Sequence, residues 1–109
     1  MDAMAEMVDF AKAAAEENGM KAMIHAHVGS GGMHIHAASD KGREDAAPDA
    51  KAFYDAVYAK VSALGGDVRG EYGVGYAKIA YLGEEGKAAF RAEKERFDPA
   101  GVLNPGKIV

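Results

Sequence analysis

Met4, Met7, Val8, Ala11, Ala14 and Ala15 recur at three- and four-residue intervals, so the chain opens on an amphipathic helix over residues 3–18, ended by Asn18-Gly19. The period then falls to two. Lys21 to Val28 and Met33 to Ser39 read as antiparallel strands around a glycine-bearing turn. With Ser30-Gly31 as a two-residue turn, His27 faces His34 and His25 faces His36. All four imidazoles then share one face. The other face carries Ile24, Ala26, Val28, Met33, Ile35 and Ala37, an apolar surface suited to packing on helices. A charged loop over 40–45 follows, and Pro48 is expected to open a second helix, where its missing N–H costs nothing. Phe53, Val57, Val61 and Leu64 form the buried stripe of that helix before Gly65-Gly66 ends it.

Beyond Gly66 the texture changes to a loop with glycines at 70, 73 and 75, which brings backbone close to something or serves as a flexible connection. Tyr76 to Leu82 suggests a short helix ending at Gly83, and Glu84 to Phe97 a longer one whose Phe90 and Phe97 point toward the body. Asp98-Pro99 stops it, and Asn104-Pro105-Gly106 makes a second tight turn. The predicted class is α+β: a helix-hairpin-helix unit, half of a ferredoxin-like arrangement, with an antiparallel sheet covered by helices. A Gly-rich loop and C-terminal helices follow. The 109 residues suit one domain or a piece of a larger one, and the opening straight into helix pattern favours the piece.

Charge and composition exclude several functions. Thirteen basic against seventeen acidic residues give a net charge of -4, with no Lys/Arg block to follow a phosphate backbone, so nucleic acid is not an expected partner. The absence of cysteine removes disulfides, thiolate nucleophiles and iron–sulfur chemistry. No apolar run has the length of a membrane span and no signal-peptide pattern opens the chain. A cytoplasmic protein is expected.

All four histidines fall within His25–His36, and neutral imidazole suits a transition metal far better than magnesium or calcium. Four imidazoles can equally be a polar outer sheet face. Two of them with one carboxylate would make a three-ligand site with positions open for water or substrate. Glu71, lying between Gly70 and Gly73, is the best carboxylate for a narrow site. His27 and His34, at the turn end, are the better ligand candidates. His25 and His36 lie further along as orienting or proton-carrying groups, or His25 simply faces a polar interface. Asp67, Arg69, Tyr72 and Lys78 surround the Glu71 loop and can contact an anionic substrate, although Lys78 also reads as a solvated helix residue. Ser30 is a poor nucleophile, because a hairpin turn does not supply the geometry of a triad.

Three segments carry a resemblance. H-V-G-S-G-G-M-H resembles the H-x-G-D-G-N-x-H signature of the C-terminal cap domain of FAD-linked oxidases, the group containing D-lactate, glycolate and D-2-hydroxyglutarate dehydrogenases. G-G-D-V-R-G-E-Y-G-V-G-Y-A-K is similar to the family's G-G-x-x-x-x-E-H-G-x-G-x-x-K, and F-D-P-A-G-V-L-N-P-G-K-I-V to its closing D-P-x-x-x-x-N-P-G-K. The order is that of the family, from about Lys21 to the end.

The resemblance implies a divalent metal (zinc, iron or manganese) on His27, His34 and Glu71, chelating the hydroxyl and carboxylate of a 2-hydroxy acid beside the flavin. It places His36 at a substrate-side position and Asn104 against the flavin. Tyr72 stands where the family usually has a histidine proposed as proton acceptor. Tyrosine is a poorer base near neutral pH, which implies either a metal-assisted phenolate at Tyr72 or a base elsewhere. Ser30 and Gly32 replace the Asp and Asn that brace the signature turn. The FAD-binding domain and the first half of the cap are expected outside these residues, so the chain by itself is not expected to oxidise anything. Its expected partners are the 2-hydroxy acid and the missing flavin domain or another chain, with a homo-oligomer as a further option. The alternative is a non-catalytic metal-binding or interaction module derived from the same domain.

Overall fold

The computed structural model describes residues 2–109 and falls into two compact units, Met1–Asp67 and Val68–Val109. The class is α+β, as expected.

In the first unit, helix α1 (Asp2–Glu17) leads into strands β1 (Lys21–His27) and β2 (Gly32–Ala38), and helix α2 (Arg43–Ala63) follows. Met7, Ala11, Ala14 and Ala15 of α1 meet Met20 and the α2 residues Phe53 and Val57 in the buried core. Ala22, Ile24, Met33, Ile35 and Ala37 pack against that core from the hairpin. A two-stranded ribbon is marginal alone, so this one-sided apolar face is what fixes it.

Both helices end as their glycines predict. Gly19 adopts φ +63° while the Met20 N–H bonds the Ala15 carbonyl at 2.8 Å, and Gly65 adopts φ +72° while the Gly66 N–H bonds the Val61 carbonyl at 2.8 Å. Left-handed backbone penalises a Cβ. Gly65→Ala should therefore lower the unfolding free energy by about 1 kcal/mol in a urea melt. Gly29→Ala, with no positive φ and open space around its Cβ, should change it by far less.

Two expectations about this unit are corrected. Helix α2 starts at Arg43, not at Pro48, because Glu44 and Asp45 supply a favourable acidic first turn and the Ala46 N–H already bonds the Gly42 carbonyl at 2.9 Å. Pro48 sits inside the helix and forgoes one early bond.

The hairpin register also differs. His25 pairs with His34, His27 with Gly32 and His36 with Met23, two residues away from the expected pairing. The loop is Val28–Gly31, four residues long, with the Ser30 and Gly31 N–H groups both bonding the His27 carbonyl at 3.1 and 2.9 Å. The cause lies in Ser30. A two-residue Ser-Gly turn needs φ > 0 at its first residue, which serine resists, whereas the longer loop needs it only at Gly31, at φ +75°. A slip of two preserves side-chain parity, so the four imidazoles still share a face. Val28 leaves the apolar face for the loop and is 63% exposed.

In the second unit, the Gly-rich loop leads to a short helix α3 (Gly75–Lys78), a 3-10 turn (Ile79–Tyr81) and helix α4 (Glu84–Phe97). Val68, Val74 and Leu82 are its buried apolar residues. Gly86 lets α4 close on Leu82, whose side chain would lie 2.7 Å from an added Cβ. Phe90 is half-buried, but Phe97 is 68% exposed, contrary to expectation. The Arg96 guanidinium lies 5.1 Å from the Phe97 ring, an attachment at the helix end that asks for no core. No described helix is long and apolar enough to cross a membrane.

Candidate functional site

On the outer face of the hairpin the imidazoles form a zigzag. The His27 and His34 rings meet edge to face with centroids 5.5 Å apart, His34 stacks on His25 at 4.6 Å, and His25 stacks on His36 at 5.6 Å. His34 is half-buried and the other three are exposed. The observed register sets different neighbours for each ring without dispersing the group. His27 and His34 are diagonal neighbours rather than directly opposed, and His25 is the residue across from His34.

The turn below His27 is braced from within the chain. The Ser30 hydroxyl donates to the His27 carbonyl at 3.3 Å, so the residue that replaces the signature aspartate keeps a polar hold on the strand end. Gly32 pairs with His27 across the ribbon.

In the second unit Glu71 sits in a turn flanked by Gly70 at φ +56° and Gly73 at φ +73°. Both glycines occupy left-handed backbone, which requires the residue type rather than merely tolerating it. The buried side chains of Val68 and Val74 anchor the two ends of this loop. Lys78 is half-buried and its ammonium donates to the Arg69 carbonyl at 3.4 Å, so it is tied to the loop and is not simply a solvated helix residue. Tyr72, next to Glu71, is 85% exposed.

Asn104 also lies in this unit, in left-handed backbone at φ 46°, with the Lys107 N–H bonded to its carbonyl at 3.2 Å. The turn that carries it is organised by Asp98, the residue that also caps the end of α4. The Asp98 carboxylate is 7% exposed and accepts the Val102 and Leu103 N–H groups, each at 2.9 Å, and the Lys94 ammonium at 2.5 Å. Lys94 also donates to the Leu103 carbonyl. The fixed spacing between Asp-Pro and Asn-Pro-Gly-Lys was the signal available for this clamp.

The Lys94 hydrogen bond, helped by the two backbone amides and opposed by burial, holds the Asp98 carboxyl below the usual carboxylate range. A depressed folded value means that the clamp's contribution is complete above the unfolded value near ~3.9. It is lost as pH falls through the lower folded value. Asp98→Ala should speed amide exchange at Val102 and Leu103 by roughly tenfold or more at neutral pH, read by hydrogen exchange.

The family of C-terminal domains of FAD-linked oxidases matches residues 1–108. Among curated proteins, a D-lactate dehydrogenase of Anaerostipes hadrus is 36% identical over 96% of this chain and 23% of its own length. A glycolate oxidase subunit of Bacillus subtilis is 36% identical over 75% of the chain and 18% of its length. A D-2-hydroxyglutarate dehydrogenase of Escherichia coli is 32% identical over 96% of the chain and 11% of its length. The chain thus spans between about a tenth and a quarter of these relatives. No solved structure gives a significant match.

Proposed function

The chain belongs to the family of C-terminal domains of FAD-linked oxidases, and on that premise we propose that it forms the substrate-side part of an enzyme oxidising a 2-hydroxy acid. Three of the relatives are named for lactate, glycolate and 2-hydroxyglutarate, which share a hydroxyl and a carboxylate on adjacent carbons. The observation that carries the reading is the ordered set of three motifs within the matched residues 1–108.

Within this reading His27, His34 and Glu71 hold a divalent transition metal. The donor chemistry fits: two imidazoles on one ribbon face, with rings 5.5 Å apart, and a carboxylate on a glycine-flanked turn suit zinc, iron or manganese. When bound, such an ion polarises the substrate hydroxyl and balances its carboxylate, while FAD, held mainly by a separate domain, takes up the hydride. The chain's own residues do the rest. Glu71 would compensate the ion's charge, His36 would hydrogen-bond substrate from the same face as His34, and Tyr72, ionised to its phenolate with the metal's assistance, would take the substrate proton and return to the neutral phenol. Asn104, on its Asp98-clamped turn, would stand on the flavin side of the site.

The test is anaerobic bleaching of flavin absorbance when D-lactate, glycolate or D-2-hydroxyglutarate is added to this chain combined with its flavin-binding domain. Reduction by at least one 2-hydroxy acid is expected. Failure of all of them, with flavin bound, overturns the reading.

A further inference from the structure

His25 is the histidine to which the proposed function assigns no task, yet it occupies the middle of the imidazole row. Its ring lies 4.6 Å from His34 at an interplanar angle of 11° and 5.6 Å from His36 at 16°. The cause is the register. His34 and His36 are two residues apart on β2, so their side chains leave the same face about 6.6 Å apart, too far for direct ring contact and wide enough for one ring between them. His25, directly across from His34 and diagonal to His36, supplies that ring.

An imidazole on an exposed strand otherwise samples several χ1 wells and a broad χ2. His34 instead has a parallel ring against one side and the edge-to-face His27 ring as its other imidazole neighbour. We propose that His25 is a positioning residue: stacked between His34 and His36, it fixes the orientation of the metal-ligand imidazole and the substrate-side imidazole together. This rests on the reading of His34 as a ligand and names what holds it. Its effect comes from the face of the ring, with no need for either nitrogen. A stacked aromatic pair of this kind shifts an equilibrium by about 2- to 12-fold.

The experiment compares the native chain with H25A and H25F by zinc titration of the full chain and by NMR of the metal-free protein. In the native chain and in H25F, the ring protons of His34 and His36 should be shifted upfield by the stacked aromatic ring; in H25A they should lose that shift. H25A should bind zinc about five- to tenfold more weakly. H25F keeps a flat ring and has no nitrogen, and it should bind within about threefold of the native chain while matching it in far-ultraviolet circular dichroism. Equal affinity of H25A and the native chain overturns the proposal. So does an H25F chain as weak as H25A, which would assign the effect to the nitrogens. A native chain that takes up no zinc defeats the ligand reading itself, and this one with it, a result distinct from either variant outcome.

Discussion

With the proposed three-ligand site, Glu71→Ala should leave the purified protein with little divalent metal, and His34→Ala should do the same. With three protein ligands, an ion keeps an open position for substrate; with two, it is held by the donors of a surface site and is lost on dialysis. In the proposed site Glu71 would carry a second burden, since it would be the one carboxylate in the ligand set. Glu71→Gln retains an oxygen donor and removes the charge, so it should retain more metal than Glu71→Ala and less than the native chain. In the proposed flavin-loaded enzyme, loss of the ion should remove several kcal/mol of charge stabilisation, so turnover of a 2-hydroxy acid should fall by about 100-fold or more. His36→Ala supplies the contrast. With the proposed substrate-side role, it should leave metal content unchanged and raise KM. Elemental analysis of the native chain and the four variants reads the first effect, and steady-state kinetics the second. Metal content in Glu71→Ala equal to that of the native chain would remove Glu71 from the site.

What the sequence shows of this molecule, and what it hides, divides by physical cause. Period-3.6 stripes are dense in α1 and α2, and their glycine ends are unambiguous, so helix existence and termination were legible at Gly19 and Gly65. The start of α2 was not, because Pro48 is a stronger local mark than Glu44 and Asp45, although the two acidic residues make a favourable first turn. The hairpin exposes the limit more clearly. Alternation fixes which side chains share a face, and it cannot distinguish registers that differ by two residues. Only the φ demanded of Ser30 separates them, and that one residue decides that His25, not His27, stands across from His34. The histidine face was therefore readable as a group, while the order of its rings was not. Asp98 shows the opposite failure: its residue type and position were in plain view, but a helix stop sufficed to explain it until the bonds to Val102 and Leu103 were seen. Phe97 was misread because an aromatic residue seven places from Phe90 fits a helix stripe, whereas a neighbouring arginine can hold such a ring at the surface.

The histidine face depends on the other side of the ribbon, and Phe53→Ala should demonstrate it. Phe53 is the one large side chain among the described residues with no exposure at all, and its ring meets Tyr54 edge to face at 5.0 Å. Tyr54 in turn accepts the Ala37 N–H at 3.3 Å, which fastens β2 to α2. Truncation at Phe53 removes the transfer energy of the ring and leaves a cavity beside the small residues Ala11, Ala14 and Ala15, which have no atoms to spare for filling it. The cost should be about 3–5 kcal/mol in a urea melt. Stability of native domains is about 5–15 kcal/mol in total, and a unit this small lies toward the low end, so most of its margin disappears. Phe53→Leu keeps most of the volume and should cost much less. The ribbon, marginal without its helices, then loosens before α1 and α2 lose their local structure. Amide exchange at Ile24 and Ile35 should rise first, and metal affinity should fall although no ligand has been altered. A loss of less than about 1 kcal/mol would show that Phe53 does not fasten this core. A full loss of stability with metal affinity untouched would show that the histidine face keeps its order without the packing beneath it.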